Sequence, residues 1–443
     1  MSIPVPFSTL PLKRLVSSIA SGVSVNATDV PAEKGSLGVL KTSCVYTGVF
    51  DSSENKTVVA EDVDRVACPV RADTLVVSRM NTPDLVGAAG LATLDQPDIY
   101  LPDRLWQVSF DQTIANPRYV YWWTRSTLYR DQVKVACAGT SSSMQNLDQD
   151  SFRSFVVPSL SVSEQIRIAK FLDDKTARID ALISEKEQLQ KRLEEFRLSV
   201  ISQAVSVGLS SKTQRIPTGD EWFDAVPSHW AYCPLNYRYE VQLGKMLDEK
   251  RITGEHLRPY LRNTDVQWGQ INMDALPVMD IHPSELLRYT VRPGDLLVCE
   301  GGDVGRAAIW SGSHEEIAYQ KALHRVRPRS TSDLPRFLFY ALFDSAKRGR
   351  FNGREKATIA HLTAEAFRRY RFPFPPVNEQ HAIVEYLDAQ MNRLSELQLH
   401  CGEHISRLRE YRSSLISASV TGQRDLGTDP VPRTEPVVRA LSI

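Results

Sequence analysis

Residues 164–205 read EQIRIAKFLDDKTARIDALISEKEQLQKRLEEFRLSVISQAV, and residues 379–420 read EQHAIVEYLDAQMNRLSELQLHCGEHISRLREYRSSLISASV. At an offset of 215, 15 of these 42 positions are identical, where chance pairing would match on the order of one in twenty. Both stretches lack proline and follow a proline turn, at Pro158 and at Pro375-Pro376. Each opens on helix-capping chemistry: Ser161 or Ser163 with Glu164 placed for a capping box, and Asn378 in the second copy. The spacing predicts two helices of about 45 residues, each ~65 Å long. Apolar residues recur in sevens. One row is Leu172, Ile179, Lys186, Leu193, Val200, repeated as Leu387, Leu394, Cys401, Leu408, Leu415. A second row is predicted at Leu182, Leu189, Phe196, repeated as Leu397, His404, Tyr411, Ala418. Such a two-row seam needs a partner helix, and an antiparallel pairing of the two copies is the economical solution.

The repeat extends outward with slipping offsets. VLKTSCVYTGVFD (39–51) matches YLRNTDVQWGQIN (260–272), and VRADTLVV (70–77) matches VRPGDLLV (291–298), both offset by 221. PRYVYWW (117–123) matches PRFLFYA (335–341) at 218, and NLDQDSFRSFVVPSLSVSEQ (146–165) matches HLTAEAFRRYRFPFPPVNEQ (361–380) at 215. Slips of three residues are what unequal loops in duplicated domains produce. The expected organisation is a domain at 1–160, a spacer helix at 161–208, a domain at 209–376, a spacer helix at 377–422 and a tail at 423–443. Short β-rich runs, Gly/Pro/Asn/Asp turns and one late aromatic helix per domain predict α+β domains with a curved or barrel-like sheet.

Signatures of catalysis are missing. There is no GxxxxGK[ST], GxGxxG after a strand, HExxH or GxSxG. All nine histidines lie at His229 or beyond, so no duplicated histidine site exists. Asp248-Glu249-Lys250 lacks an upstream acidic partner and reads as surface charge. The six cysteines are scattered without metal-ligand spacing, which reads as reduced, cytoplasmic thiols. No apolar run reaches the ~20 residues of a bilayer span, so no membrane association is expected. Gly301-Gly302-Asp303-Val304-Gly305-Arg306 reads as a loop whose backbone approaches a ligand closely, with Arg306 reaching out. The 53 Lys+Arg balance 53 Asp+Glu over the chain. Regionally, Lys321–Arg371 holds 13 basic and 4 acidic residues, whereas Asp103–Val156 holds six and five. Basic residues set among Gly, Asn and Thr (KRGRFNGREKAT) suit phosphate contact.

With these residues in view, the chain resembles the specificity subunit of type I restriction–modification systems. SLSVSEQIRIAKFLDDKTARIDALI, PPVNEQHAIVEYLDAQMNRL and LLVCEGGDVGRAAIW carry the resemblance, which covers residues 5–426. It implies two target recognition domains, each reading one half of a bipartite double-stranded DNA site, on an antiparallel coiled coil that fixes their spacing. It further implies docking of two adenine methyltransferase subunits and, for restriction, translocating nuclease subunits. S-adenosylmethionine, ATP and Mg would belong to those partners, leaving this chain without cofactor or catalysis. Expected DNA contacts are Arg262, Asn263, Gly301, Gly302, Arg306, Lys321, Arg350 and Lys356 in the second domain. In the first they are Lys41, Thr42, Arg79, Asn81, Thr140 and Ser141. Exposed helix residues Arg178, Arg197, Arg393 and Arg412 are expected to dock partners. Two alternatives from other classes are a self-sufficient DNA methyltransferase and a coiled-coil scaffold without a nucleic-acid role.

Overall fold

A computed structural model describes residues 8–137, 143–210, 212–247, 254–312, 316–352 and 361–423. The chain divides into two compact units, residues 1–187 with 403–443 and residues 188–402.

The first unit is built on strands β1 (Val16–Ser21), β2 (Gly38–Leu40), β3 (Thr74–Ser78), β4 (Ala89–Ala92), β5 (Gln96–Tyr100) and β6 (Leu105–Phe110). Strands β1-β6-β3-β4 form an antiparallel sheet. A second sheet pairs β2 in parallel with β5 through Gly38↔Ile99 and Val39↔Tyr100. Helix α1 (Pro117–Thr124) packs on β3 and β4. Asn116 caps it by accepting from the Tyr119 amide, and Pro117 opens its first turn. This unit also holds residues 162–187 of helix α2 (Val162–Ser206) and the C-terminal part of a later helix.

The second unit repeats the plan with strands β7 (Tyr239–Leu243), β8 (Leu257–Leu261), β9 (Leu296–Cys299), β10 (Ala307–Ile309), β11 (Ala318–Tyr319) and β12 (Leu323–Pro328). Its four-stranded order is β7-β12-β9-β10, and β8 pairs in parallel with β11 through Tyr260↔Ala318. Helix α3 (Pro335–Lys347) covers the sheet, and α4 (Val377–Val420) is the second long helix. Strand β9 is buried on both faces, as its continuous apolar run requires. Leu296 and Val298 join a core with Phe337, Leu338, Leu193 and Leu387, whereas Leu297 and Cys299 join a separate core with Leu261, Val266 and Trp310. The globular part of this unit and its helix segments thus share one hydrophobic core.

The first seam row is largely buried: Leu172, Ile179, Leu193, Val200, Leu387, Leu394, Cys401 and Leu415 are all buried. The second row lies one residue away from the predicted one. Phe196 is 48% exposed and His404 is exposed, while Thr176, Ile183 and Ala204, with Met391, Ile405 and Ser419, are buried. Polar residues at Gln190, Arg197, Gln398 and Arg412 interrupt this row, and the apolar pattern on its flank misled the assignment. Pairing runs antiparallel in each unit. Arg412 binds Asp180 and Arg409 binds Glu187 in the first; Gln398 Nε2 donates to Glu194 at 3.2 Å in the second. Ser161 caps α2 with Glu164, whose carboxylate accepts from the Ser161 amide (2.9 Å) and hydroxyl (2.6 Å). Among the described residues no helix is long and apolar enough to cross a membrane.

Candidate nucleic-acid interface

In the second unit, the turn after β8 and the loop after β9 meet. Asn263 Nδ2 donates to the Gly301 carbonyl at 3.0 Å, and Arg306 Nη2 donates to the Asn263 carbonyl at 2.9 Å. Trp268 Nε1 donates to Asp303 at 3.0 Å, fastening the loop on its other side. Gly302 and Gly305 adopt φ of +74° and +84°, left-handed values that glycine accepts without strain. A side chain at Gly305 would collide with Phe351. Arg262 is held by Asp265, which accepts from Nε at 3.0 Å and Nη2 at 2.8 Å, and this bonding raises the guanidinium pKa further. Lys321 is exposed beside the loop, because the Glu300 amide donates to the neighbouring Ala322 carbonyl at 3.0 Å.

The first unit brings two of its expected residues, Thr42 and Asn81, together at the equivalent place. Tyr46, absent from the sequence expectation, is the hub: its hydroxyl shares a hydrogen bond with Thr42 Oγ1 (2.7 Å) and accepts from Asn81 Nδ2 (2.9 Å). Lys41 pairs with Asp29 at 3.2 Å, and Arg79 Nε donates to the Asp103 carbonyl at 2.7 Å. Two backbone bonds recur between the copies. The Arg79 amide donates to Arg104 and its carbonyl accepts from Leu147; the Glu300 amide donates to Ala322 and its carbonyl accepts from Leu362. The scaffold of the loop is duplicated, and its side chains are not. Behind the second copy lies His324, whose Nε2 bonds the Leu362 carbonyl at 2.6 Å and whose pKa burial lowers to about 4.

Several expectations are corrected. Arg306 turns inward to Asn263 instead of reaching out, and its Nε is buried without a hydrogen-bond partner. Arg350, expected at the surface, is not an open surface group. It is buried, donates to Asp220 (2.9 Å) and to the Arg371 carbonyl (3.0 Å), and lies over the rings of Phe223, Tyr370 and Phe372. Much of the basic stretch is likewise spent internally: Arg327 on Asp295, Arg336 on Asp388, Arg348 on Asp344, Arg368 on the Val241 carbonyl. Thr140, Ser141 and Lys356 lie outside the described residues, as does Asp248-Glu249-Lys250. Among the expected docking residues, Arg178 and Arg393 are exposed, Arg178 pairing with Asp174 at 3.1 Å. Arg197 and Arg412 are not free surface groups. Arg412 is bidentate to Asp180 (2.8 and 3.1 Å), and Arg197 lies 5.5 Å from the Phe343 ring with its Nε buried.

Sequence reasoning also missed what fastens each domain to its helix. Gln165 Oε1 accepts from the Asn116 amide (2.7 Å), and its Nε2 donates to the Ile114 and Leu160 carbonyls. Gln380 accepts from the Leu334 amide (2.9 Å) and donates to Ser332 and Pro375. Asp173 takes Arg118 and Trp122 Nε1; Asp388 takes Arg336 and Tyr340. These are the EQ and LD identities of the repeat, so the signal was present in the alignment.

A family model for the type I restriction modification DNA specificity domain matches residues 288–400. The EcoKI specificity subunit of Escherichia coli (strain K12) is 24% identical over 314 residues, 69% of this chain and 65% of that protein. The StySPI specificity subunit of Salmonella potsdam is 22% identical over 324 residues, 70% of this chain and 66% of its own length. The chain thus spans slightly under two thirds of these relatives. Among solved structures, a chain from work on complex assembly and conformational transition of the type I R-M system superimposes with a TM-score of 0.72 at 15% identity, covering 96% of this chain and 100% of that one. The HsdS subunit from Thermoanaerobacter tengcongensis gives 0.60 at 16% identity, with 96% and 99% coverage. Domain model, relatives and whole-chain fold point the same way: the family that this chain resembles is that of type I restriction–modification DNA specificity subunits.

Proposed function

We propose that this chain is the sequence-reading component of a type I restriction–modification complex and performs no catalysis of its own. Each recognition domain reads one half of a bipartite, asymmetric DNA site, and the helix pair sets the number of unread base pairs between them. The supporting observation is the duplicated loop scaffold with divergent side chains: Lys41 stands where Arg262 does, Thr42 where Asn263 does, and Asn81 where Gly302 does. A shared frame holding different donors and acceptors is what two different half-sites require. In the proposed organisation, residues 1–160 and 209–376 are readers, 161–208 and 377–422 are spacers, and 423–443 is a tail. Two methyltransferase subunits dock on exposed helix positions such as Arg178 and Arg393, and nuclease subunits join for restriction. S-adenosylmethionine, ATP and Mg act on those partners, in the cytoplasm. Target adenine flipping falls to the methyltransferase.

The test is the genomic methylation pattern of the host with and without this gene. A split two-part motif that disappears on deletion is expected. A methylome that deletion leaves unchanged overturns the proposal. Binding of S-adenosylmethionine by the purified chain alone would favour a self-sufficient methyltransferase instead.

A further inference from the structure

Strand β12 leaves the flank of the glycine loop and carries two arginines on one face. Alternation along the strand puts Val326 in the core shared with the helices and turns Arg325 and Arg327 the other way. Strand β7 contributes Gln242 and Glu240 at matching register, Gln242 opposite Arg325 and Glu240 opposite Arg327. Ser284, Leu287 and Arg288, from the turn and short helix between Pro283 and Tyr289, complete the lining of a cavity of about 390 Å³. Three guanidiniums therefore line this space against a single carboxylate.

Their fixing matters as much as their number. Arg325 is buried, and its Nη1 donates to the carbonyls of Arg288 (3.0 Å) and Thr290 (3.1 Å). Glu240, half exposed, meets Arg325 Nη2 at 3.3 Å. Arg327 is clamped by the buried Asp295, whose oxygens accept at 2.6 and 2.7 Å. Arg288 is exposed, its guanidinium 5.1 Å from the centre of the Tyr289 ring. The arrangement fixes two guanidiniums, paired with Glu240 and Asp295, and exposes a third, a donor set that matches the tetrahedral oxygens of a phosphate.

Position selects the source of that phosphate. At about 3.3 Å per residue, Arg325 and Arg327 lie roughly 13 and 20 Å along the chain from Lys321 at the reading loop. Each strand of a duplex presents a phosphate about every 3.4 Å of rise, so a duplex running along β12 would place loop and cavity roughly four to six phosphates apart. We propose that this cavity seats a backbone phosphate of the bound DNA, outside the bases that the second domain reads. The proposal rests on the DNA-reading function above. It is confined to the second domain, because Gln107 and Ser109 occupy the repeat positions of Arg325 and Arg327.

The experiment is a salt titration of DNA binding by the chain assembled with its methyltransferase subunits, on a random-sequence duplex and on a duplex carrying the methylated motif. Each contacted phosphate contributes about 0.9 to the slope of log affinity against log salt. Arg288→Ala is expected to lower that slope by about this amount on both duplexes alike. Gln242→Glu, which adds a carboxylate to the cavity without emptying it, is expected to lower it as well. Unchanged slopes in both variants overturn the proposal. Weakened methyltransferase association with unchanged slopes also overturns it, in favour of an acidic protein surface as occupant. A wild-type complex with no preference between the duplexes would defeat the sequence-reading function, while the slope change on the random duplex still decides the phosphate seat.

Discussion

Arg412 and Arg197 occupy the same position of the repeat and meet different fates. In the first unit Arg412 forms a two-pronged pair with Asp180. In the second unit the residue repeating Asp180 is Ser395, and Arg197 instead lies over Phe343, 3.9 Å from Glu194. The anchors beneath the recognition domains contrast with this drift, since Gln165 and Gln380 make the same three kinds of bond, and Asp173 and Asp388 each hold an arginine and an aromatic donor. The two glutamines that fasten a domain to its helix are buried and have no substitute. Polar groups along the seam have water as an alternative and are free to vary. The duplication therefore kept its joints, its loop scaffold and one heptad row, and released the polar side chains between them.

The largest effect is expected where one copy replaced a neutral group by a buried charge. Gln132 Nε2 donates to the Val156 carbonyl at 3.1 Å, and at the repeated place Arg350 donates to the Arg371 carbonyl while pairing with Asp220. Arg350→Gln keeps the carbonyl donor and leaves Asp220 without its cation. About 3 kcal/mol of the second unit's stability should go, because removing one partner strands the other charge. Chemical denaturation followed by hydrogen exchange in each unit is the measurement. The double variant with Asp220→Asn should recover part of the loss, and a double variant no better than Arg350→Gln would break the comparison. Next in size is the joint itself. Gln380→Leu leaves the Leu334 amide and two carbonyls without their partner and should cost about 2–3 kcal/mol, confined to the second unit. Gln165→Leu should do the same to the first. Loss spread evenly over both units in either variant would refute the equivalence of the joints.

How much of this was legible beforehand follows from the same distinction. Helix length, the repeat and the first seam row were readable, because Leu172, Ile179, Leu193 and their copies follow a strict heptad. The second row was misplaced because polar Gln190, Arg197, Gln398 and Arg412 occupy it, so leucines and Phe196 on its flank suggested the wrong register. That Gly301, Gly302 and Asn263 meet in one loop cluster was legible, since a glycine run after a buried strand marks close backbone approach. The reach of individual arginines was not readable. Arg350 finds Asp220 130 residues away and Arg336 finds Asp388, so a local excess of charge in Lys321–Arg371 says little about what meets solvent.

Acid should separate the two units by a smaller margin. His324 is buried behind the glycine loop of the second unit with its pKa lowered by desolvation to about 4, and the repeat position in the first unit is Trp106. A folded-state pKa below the unfolded value of 6.5 means that His324 contributes fully above that value. The contribution drains as pH falls from 6.5 toward 4. Near pH 5.5 the second unit should have lost about 1 kcal/mol that the first has not. Hydrogen exchange of Leu323–Pro328 and Leu362 against Leu105–Phe110 at two pH values measures the difference. His324→Phe should abolish it, and persistence of the difference in that variant would assign it elsewhere.

The smallest expected effect is the sharpest test of seam drift. Ser395→Asp restores to Arg197 the carboxylate that Asp180 supplies to Arg412. If the seam still carries the ancestral register, the new pair forms without rearrangement and Arg197 leaves the face of Phe343. The gain should be about 0.5 kcal/mol, since Arg197 remains partly solvated and the ring contact is given up. A double-mutant cycle with Arg197→Met isolates the coupling, and high salt should erase most of it. A coupling near zero at low salt would mean that the two halves of the seam differ in backbone register as well as in side chains. In that case Arg197 sits over Phe343 because the helix turns it there, and the missing aspartate is a consequence of that turn.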